Sequence, residues 1–399
     1  MTTTSKANDK TEKKVQPLGL YIHIPFCVKK CRYCDFCSYP VTETDIHLSY
    51  ILKLIYELRA KKPLFAEYRD SGDEAPAVDT IYFGGGTPSS IEGGFISEVL
   101  DAVYASYRVT EDAEITIEVN PGTADLDKLN RYKAAGINRI SIGAQSFDAE
   151  TLSFLGRIHS ANDTVRCVLD ARKAGFENIG LDLIFGIPGQ TLSCFEGDLE
   201  SIILLNPQHV SFYSLQIEEK TPIYEEYMRG FFDTPDEIED RRMYHMASDF
   251  FADNGLYQYE ISNSAKPGKE SRHNLKYWSM APYAGFGISA HSYIGGKRFS
   301  NTTELASYLT AENSCEMTEW THENTLADDM SEFIFLGLRR TSGIELSDFR
   351  SRFGRDFWEL YGEETKKLIG RGLLEHRGDA LRLTALGLDV ANTVFSEYV

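Results

Sequence analysis

The sequence predicts an α/β fold, because short β-rich segments alternate with helical periods along its first half. The β-rich segments are LYIHIPF (20–26), DTIYFGG (79–85), EITIEVN (114–120), RISIGAQ (139–145), NIGLDLIFGI (178–187) and HVSFYSLQI (209–217). Strands that alternate with helices form parallel βαβ units with right-handed crossovers. The pattern fits a full barrel, a partial barrel or an open doubly wound sheet. In each of these folds, functional residues gather at the carboxyl ends of the strands.

The helical segment after the first strand is predicted from apolar spacing. Its apolar residues recur at helical intervals, at Leu48, Ile51, Leu52, Ile55 and Leu58. Such intervals place side chains on one face of a helix. We therefore expect these five side chains to lie together.

The chain changes character after about residue 220. The stretch from there to about residue 325 is predicted to be irregular, since it is aromatic and rich in Gly, Ser and Asn. Helical segments and a hairpin follow, at 329–338, 346–352, 356–371 and Gly378-Asp379, before a last helix. This order resembles a winged helix. However, residues 328–399 contain 10 Lys and Arg against 13 Asp and Glu, which favours packing or docking over DNA binding.

Composition and charge exclude several classes of protein. The chain has 399 residues, of which 42% are hydrophobic and 25% charged, as in ordinary globular proteins. Its formal charge of -19 disfavours nonspecific binding to nucleic acid and to anionic membranes. Residues 1–17 lack the apolar region of a signal peptide, and no run is apolar enough for a membrane span. We therefore predict a cytoplasmic protein, with no nucleic-acid partner, whose first 17 residues form a disordered tail.

Four of the seven cysteines are concentrated in HIPFCVKKCRYCDFCSYP, residues 23–40. Cys27, Cys31 and Cys34 form a Cys-x3-Cys-x2-Cys loop that can direct three thiolates at one cluster. Structural zinc, the alternative, usually requires a second pair of cysteines, which the sequence lacks. Three cysteines around a four-iron cube leave one iron open for chemistry. A fourth thiolate would close that iron, so Cys37 is interpreted as a free thiol.

The cysteine loop, with Tyr33 before its third cysteine, resembles that of the radical S-adenosylmethionine (SAM) superfamily. In that superfamily, SAM binds the open iron, and an electron from the cluster cleaves it to a 5′-deoxyadenosyl radical. The run Gly84-Gly85-Gly86-Thr87-Pro88 is interpreted as backbone that grips the methionine end of SAM. Glu118 is suited to ribose hydroxyls. Asp182 lies in an apolar run, where an acid is either paired or faces a polar lumen.

A narrower resemblance is carried by YIHIPFC, CRYCDF, YFGGGTPS, EVNPGT, GAQSFD, LGRIH, LDLIFGIPGQT and HNLKYW. Together these motifs resemble the family of oxygen-independent coproporphyrinogen III oxidase (HemN) and the haem chaperone HemW. The resemblance implies a partial (β/α)6 radical SAM barrel with a C-terminal winged-helix-like α+β module. The expected divisions are a tail at 1–17, the barrel at 18–220, an irregular extension with HNLKYW at 221–325 and the C-terminal module at 326–399.

The same resemblance implies three cofactors and their residues. Cys27, Cys31 and Cys34 match the ligands of a 4Fe–4S cluster. The positions that contact cluster-bound SAM are matched by Tyr21, Gly85 and Glu118. The positions that contact a second SAM in the oxidase are matched by Tyr33, Gly86, Thr87, Gln145, Arg157 and Asp182.

Two departures favour the chaperone over the oxidase. The cysteine pattern typical of the oxidase is Cys-x3-Cys-x2-Cys-x-Cys, whereas here the fourth cysteine lies one residue further on. The oxidase also has a longer segment before its first strand, whereas here only the polar tail precedes LGLYIHI. Conversely, YQYEISNSAKPG and SRHNLKYW, within residues 257–278, are similar to the chaperone. We therefore predict a protein that binds haem and passes it to a haem-requiring acceptor, such as a membrane-associated respiratory protein. The alternatives are the decarboxylating oxidase and a structural or DNA-docking protein with a relict barrel.

The third cofactor, haem, is assigned to the HNLKYW stretch. His273 is the predicted iron ligand, and Asn274, Tyr277 and Trp278 complete the predicted site. Imidazole ligates haem iron, and aromatic rings can cover the macrocycle. The alternative is a buried histidine inside an aromatic core. His291, in GISAHSY, is a second candidate ligand.

Overall fold

The computed structural model describes residues 16–69 and 75–399, so residues 1–15 of the predicted tail lie outside the described residues. Strands and helices alternate in the first half of the chain, as predicted. The strands are β1 (Leu18–Ile24), β2 (Ala77–Gly85), β3 (Arg108–Val119), β4 (Arg139–Gln145), β5 (Asn178–Phe185) and β6 (His209–Ser214). The helices are α1 (Thr44–Lys61), α2 (Gly93–Ser106), α3 (Leu126–Ala134), α4 (Ala149–Leu155), α5 (Ala161–Lys173) and α6 (Leu192–Leu204).

Strands β1 to β6 pair in chain order, and every neighbouring pair is parallel. They form the partial (β/α)6 barrel. In β1, Leu20, Ile22 and Ile24 are fully buried on one face, while Tyr21 and His23 alternate with them and face the lumen. All carboxyl ends lie at one edge, which we call the mouth; it is formed by Ile24, Gly85, Val119, Gln145, Phe185 and Ser214. The opposite edge, near Leu18, Thr80 and Glu114, is called the base.

Residues 221–325 are not irregular, as the sequence had suggested, but widen the sheet at both edges. Strands β7 (Tyr257–Glu260) and β8 (Asn263–Ala265) extend it beyond β6. Strands β9 (Tyr283–Phe286), β10 (His291–Ile294), β11 (Lys297–Asn301) and β12 (Thr318–Glu323) extend it beyond β1. The helices of this stretch are α7 (Pro222–Met228), α8 (Glu237–Asp253), α9 (Arg272–Trp278) and α10 (Leu305–Thr310). These strands are three to six residues long, too short for their alternation to be recognised in the sequence.

The predicted apolar face of α1 is only partly correct. Ile51 and Leu58 are buried, but Leu48 and Leu52 are 40% and 57% exposed. The prediction was wrong because polar side chains share the buried face. That face consists of His47, Tyr50, Ile51, Leu54, Glu57, Leu58 and Lys61.

The C-terminal module has its own hydrophobic core. Its helices are α11 (Leu326–Gly337), α12 (Leu346–Phe353), α13 (Phe357–Gly370), α14 (Ala385–Asp389) and α15 (Ala391–Phe395). Its strands are β13 (Ile344–Glu345), β14 (Leu374–Arg377) and β15 (Ala380–Leu383). The predicted hairpin joins β14 to β15, and Gly378 takes the positive φ of 63° that its tight turn needs. The predicted last helix is divided into α14 and α15.

No helix within residues 16–69 and 75–399 is both long and apolar enough to cross a membrane.

Candidate functional site

The cysteine loop leaves the mouth immediately after β1. The backbone N–H of Cys27 donates to the Tyr39 carbonyl at 3.0 Å, and the Tyr39 N–H donates to the Pro25 carbonyl at 2.7 Å. The loop is thus closed at its neck. Cys27 is buried, while Cys31 and Cys34 are partly exposed within the loop. All three cysteines that were predicted to be ligands therefore lie in one closed segment at the mouth.

The ends of neighbouring strands hold this loop in place. The N–H of Gly86 donates to the Ile24 carbonyl at 2.9 Å, and the N–H of Thr87 donates to the Phe26 carbonyl at 2.7 Å. The Thr87 hydroxyl lies 3.4 Å from the Cys27 sulfur. The glycine run after β2 and the cysteine loop after β1 therefore meet, as their positions at parallel strand ends predicted.

Arg157 connects the loop to the ends of β3 and β4. One guanidinium nitrogen lies 3.4 Å from the Cys31 sulfur. The other donates to Asn120 Oδ1 at 2.6 Å and to the Gly143 carbonyl at 2.9 Å. Asn120 in turn donates to the Thr87 hydroxyl at 2.7 Å. The motif EVNPGT includes Asn120, but sequence reasoning did not single it out, because an asparagine after a strand is common in turns.

The chemistry of the loop fits an iron–sulfur cluster. Burial raises the pKa of the Cys27 and Cys34 thiols, so they are disfavoured as bare thiolates. Metal binding requires deprotonated thiols and compensates for their charge. In the described residues, no group of three or more His, Cys, Asp or Glu side chains is arranged to hold a single metal ion. Each cysteine ligand of a 4Fe–4S cube binds a different iron, so those thiolates stand further apart than the ligands of one ion.

The glycine run forms a close-fitting wall beside the loop. Gly85 has a φ of 113°, and a Cβ built on it would lie 2.6 Å from the His23 ring. A Cβ on Gly86 would lie 2.8 Å from the Phe26 carbonyl oxygen. Both positions therefore require glycine, which leaves exposed backbone beside the cysteine loop.

Glu118 points from β3 into the lumen below the glycine run. Its carboxylate accepts a hydrogen bond from the Tyr82 hydroxyl at 2.8 Å and one from the Gly85 N–H at 3.3 Å. The Tyr21 ring is stacked on Tyr82, with 6.3 Å between ring centroids. Burial, together with the nearby charge of Asp182, raises the pKa of Glu118 from 4.5 to about 7. Tyr21, Gly85 and Glu118, predicted to contact cluster-bound SAM, are therefore neighbours.

The pKa of Glu118 makes stability depend on pH. An acid whose pKa is raised by folding contributes stability only below its unfolded pKa, and this is lost as pH rises toward the folded pKa. Glu118→Gln removes the ionisable group but can still accept from Tyr82. We expect the free energy of unfolding of Glu118→Gln, relative to wild type, to rise by about 2 kcal/mol between pH 5 and pH 8, a figure discounted for partial exposure. Urea unfolding of the cofactor-free protein at both pH values measures this. An equal difference at pH 5 and pH 8 would contradict it.

Asp182 is both paired and directed at the lumen, so both alternatives predicted from the sequence are observed. It accepts a hydrogen bond from the Ser141 hydroxyl at 3.1 Å and also faces the lumen, where Arg139 and Arg157 attract its charge. Burial nevertheless raises its pKa. Gln145, at the end of β4, has an unusual φ of 65°. The Gln145 side-chain amide lies close to Gly143, because a Cβ built on Gly143 would lie 2.8 Å from Gln145 Nε2.

Tyr33 lies within the cysteine loop, close to Cys31, Cys34 and Arg157. Its ring is partly buried against a small apolar cluster that contains Leu155, Ile184 and Ile187. Burial raises its pKa, and Arg157 opposes that shift. The residues predicted to contact a second SAM, namely Tyr33, Gly86, Thr87, Gln145, Arg157 and Asp182, thus lie along the mouth and lumen between β2 and β5.

The predicted haem residue His273 lies at the opposite end of the barrel. It is 1% exposed, at the base, with Nδ1 2.9 Å from the Thr80 hydroxyl and Nε2 2.8 Å from the Tyr277 hydroxyl. Its backbone N–H donates to Glu114 at 3.2 Å. Burial lowers its pKa to about 3. This geometry matches the alternative interpretation, a buried histidine in an aromatic core, since both ring nitrogens are already engaged.

The other residues of the HNLKYW stretch are also structural in their contacts. Tyr277 packs edge-on against Tyr283, with 4.6 Å between centroids. Arg339 of the C-terminal module lies over the Trp278 ring at 4.4 Å. Asn274 is partly exposed in the first turn of α9, next to its Ser271 cap. Haem binding by this stretch stays a prediction, and it would require α9 to leave the base.

Cys37 lies outside the three-cysteine loop proper. Its thiol donates to the Thr303 carbonyl at 3.4 Å, and its own carbonyl lies 2.8 Å from His23 Nε2. Burial raises the pKa of the thiol. These contacts are consistent with its interpretation as a protonated, unligated thiol.

A partial (β/α)6 barrel with a Cys-x3-Cys-x2-Cys loop at its mouth defines a radical SAM protein, a class that uses a 4Fe–4S cluster and SAM. Residues 21–202 match the family model of the Radical SAM superfamily, and residues 324–390 match that of the HemN C-terminal domain. The chain is 37% identical to the "Heme chaperone HemW" of Bacillus subtilis (strain 168), over 95% of this chain and 98% of that protein. The HemW of Escherichia coli (strain K12) is 40% identical over 70% of this chain and 71% of its own length. The chain belongs to the HemW family.

Among solved structures, the coproporphyrinogen III oxidase HemN from Escherichia coli is similar in fold. Its TM-score is 0.83, and the match covers 97% of this chain and 91% of that chain. The sequences are only 24% identical. The likeness therefore concerns the fold, including the C-terminal module, and not the oxidase reaction.

Proposed function

We propose that this protein binds haem and delivers it to a haem-requiring acceptor protein. The similarity to HemW proteins over nearly the whole chain carries this proposal. The contact between the cysteine loop and the glycine run at the mouth supports it, since it is the arrangement expected of a radical SAM protein of this family. The 24% identity to HemN supports no transfer of the oxidase reaction.

We infer that Cys27, Cys31 and Cys34 hold the 4Fe–4S cluster. The closed loop, the cation of Arg157 beside Cys31 and the Thr87 hydroxyl beside Cys27 favour a negatively charged cluster at this place. Bound SAM supplies a potential radical source. Gly85 and Gly86 present bare backbone to its methionine end, while Glu118, at the lumen side of Gly85, can accept hydrogen bonds from its ribose.

A second set of residues is proposed to surround the ligand on the lumen side. Arg157 and Asn120 orient Thr87 through a chain of hydrogen bonds. Asp182 is held by Ser141 and is attracted by buried Arg139. These groups can hold polar atoms of SAM or of a second nucleoside-like ligand, as the resemblance to the oxidase implies.

The acceptor that we propose is a membrane-associated respiratory protein that requires haem. The location that we propose is the cytoplasm, where a 4Fe–4S cluster and free thiols persist under reducing conditions. No disulfide joins any of the seven cysteines, all of which lie in the described part of the chain.

One experiment separates the chaperone from the oxidase. The anaerobically reconstituted protein is titrated with haem and is separately given coproporphyrinogen III, SAM and a strong reductant. We expect a stoichiometric rise of the haem Soret band and no protoporphyrinogen, because the relatives that match nearly the whole chain are haem chaperones. A parallel assay with an active oxidase controls for reagents. Steady protoporphyrinogen formation without haem uptake would favour the oxidase.

A further inference from the structure

His23, on β1, is a buried histidine whose ring lies between the cysteine loop and the proposed SAM site. Its Nε2 is 2.8 Å from the carbonyl oxygen of Cys37, in the segment that closes the loop. Its Nδ1 is 3.0 Å from the hydroxyl of Tyr21, a residue predicted to contact SAM. The motif YIHIPFC includes His23, but sequence reasoning did not single it out, because its two partners cannot be recognised from the motif. The ring therefore connects two parts of the mouth.

The surroundings of His23 hold both its backbone and its ring in place. Its carbonyl accepts a hydrogen bond from the Tyr50 hydroxyl at 2.8 Å, and that hydroxyl accepts one from the Ile288 N–H at 3.1 Å. A Cβ built on Gly85 would lie 2.6 Å from the His23 ring, and a Cβ on Gly287 would lie 2.7 Å from its carbonyl oxygen. Bare glycine backbone therefore packs against the residue on two sides, and the ring keeps one orientation.

The partners of the ring determine the direction of both hydrogen bonds. A carbonyl oxygen can only accept, so the bond to Cys37 requires a proton on His23 Nε2. Burial lowers the pKa of His23 to about 4, so the ring is neutral and carries this one proton. Nδ1 is therefore bare and accepts from the Tyr21 hydroxyl. Burial raises the pKa of Tyr21, so the hydroxyl keeps the proton that it donates.

This chain of hydrogen bonds limits what the Tyr21 hydroxyl can offer to a ligand. A hydroxyl has one proton, and here that proton is directed at His23, so only its lone pairs remain. A ligand group that meets the Tyr21 oxygen must therefore donate a hydrogen bond. A carboxylate can only accept, and burying it against this oxygen would leave both groups unpaired. SAM has suitable donors in its amino group and in its ribose hydroxyls.

We propose that His23 is a positioning residue that makes the Tyr21 hydroxyl a hydrogen-bond acceptor for a donor group of SAM. Without His23, the hydroxyl can rotate and donate its proton elsewhere, and the site no longer distinguishes a ligand donor from a ligand acceptor at this place. The bond from Nε2 to Cys37 also ties this part of the SAM site to the segment that closes the cysteine loop. This inference rests on the proposed function, since it concerns the proposed SAM site.

The test measures SAM affinity by anaerobic calorimetry on full-length, cluster-loaded variants. His23→Gln can still donate to the Cys37 carbonyl but has no acceptor in the place of Nδ1, so we expect SAM to bind about tenfold more weakly. His23→Asn places Oδ1 near the position of Nδ1 and should restore most of this affinity. Tyr21→Phe should lose about tenfold as well. The double variant Tyr21→Phe/His23→Gln should bind SAM no more weakly than Tyr21→Phe, because His23 acts through the hydroxyl that is already absent.

Two SAM analogues identify the donor, one without the amino group and one without the ribose hydroxyls. Tyr21→Phe and His23→Gln should weaken the binding of SAM but not of the analogue that lacks the donor accepted by Tyr21. A general loosening of the site would instead weaken SAM and both analogues alike. The analogue that escapes the loss therefore shows which group of SAM meets Tyr21.

His47→Gln is the matched control. His47 is also buried, with Nε2 2.9 Å from the Val41 carbonyl, but its ring packs against Phe26. We expect it to bind SAM as wild type does. Iron content and thermal unfolding establish that each variant is folded and loaded. Wild-type SAM affinity in loaded His23→Gln, additive losses in the double variant, or equal losses for SAM and both analogues would each overturn the inference. If the loaded wild-type protein binds no SAM, the proposed SAM site itself fails.

Discussion

Replacing Cys27, Cys31 or Cys34 with alanine is expected to remove the cluster completely. Two thiolates cannot retain a cube that already has one iron without a protein ligand. Two of the sulfurs have distinct neighbours, since Thr87 lies beside Cys27 and Arg157 beside Cys31. The measurement is the iron and sulfide content and the visible absorption of each variant after anaerobic reconstitution. Wild type should bind four irons for each chain, and each variant should bind almost none.

Cys37→Ala is the matched control for these three variants. It removes a thiol from the same segment, but that thiol contacts the Thr303 carbonyl and the sequence predicts that it is no ligand. We expect its iron content to equal that of wild type. If Cys37→Ala lost the cluster as completely as Cys31→Ala, four cysteines would ligate the cluster. The hypothesis that one iron lacks a protein ligand would then be wrong.

Gly85→Val is expected to reduce SAM affinity by about 100-fold, on the order of 3 kcal/mol. A Cβ at this position would lie 2.6 Å from the His23 ring, and a φ of 113° strains any residue with a side chain. The displaced wall would also withdraw the Gly85 N–H from Glu118. Isothermal titration calorimetry of SAM, under anaerobic conditions and with the cluster loaded, measures the effect.

Gly94→Ala is the matched control for Gly85→Val. Gly94 lies in α2, and apart from adjacent residues and the helix's own backbone no atom lies within 4 Å of a Cβ built there. We expect it to leave both SAM affinity and cluster content unchanged. Unchanged SAM affinity in folded, cluster-loaded Gly85→Val would place the SAM site away from the glycine run.

The parallel barrel and the mouth could be predicted from the sequence because their signals are local. Each strand of β1 to β6 is an apolar run bounded by turn residues, and parallel pairing in chain order brings their ends together. The contact between the Cys27 and Thr87 side chains follows from that order. It needs no knowledge of long-range packing beyond the pairing of two successive strands.

Other features depended on long-range packing and were therefore missed. Leu48 and Leu52 of α1 are exposed, whereas Glu57 and Lys61 pair inside the protein, and apolar spacing cannot recognise a buried ion pair. The strands between 257 and 323 are short and join opposite edges of the sheet.

The position of α9 likewise depends on distant partners. His273 is held at the base by Thr80 and Glu114, which lie more than 150 residues away in sequence. A histidine beside aromatic residues looks the same in sequence whether it binds haem or supports a barrel. On barrels of this kind, residues at the amino-terminal ends of strands mainly serve stability.

Transfer of haem from this protein to a partner tests the central claim most directly. Cluster-loaded protein carrying one haem is mixed anaerobically with the haem-free form of a respiratory b-type cytochrome, and the absorption of both proteins is followed with time. SAM is present throughout. We predict that the cytochrome gains haem faster from this protein than from an equal concentration of haem bound to serum albumin. If the haem stays on this protein, or reaches the cytochrome no faster than from albumin, the protein is not a haem chaperone.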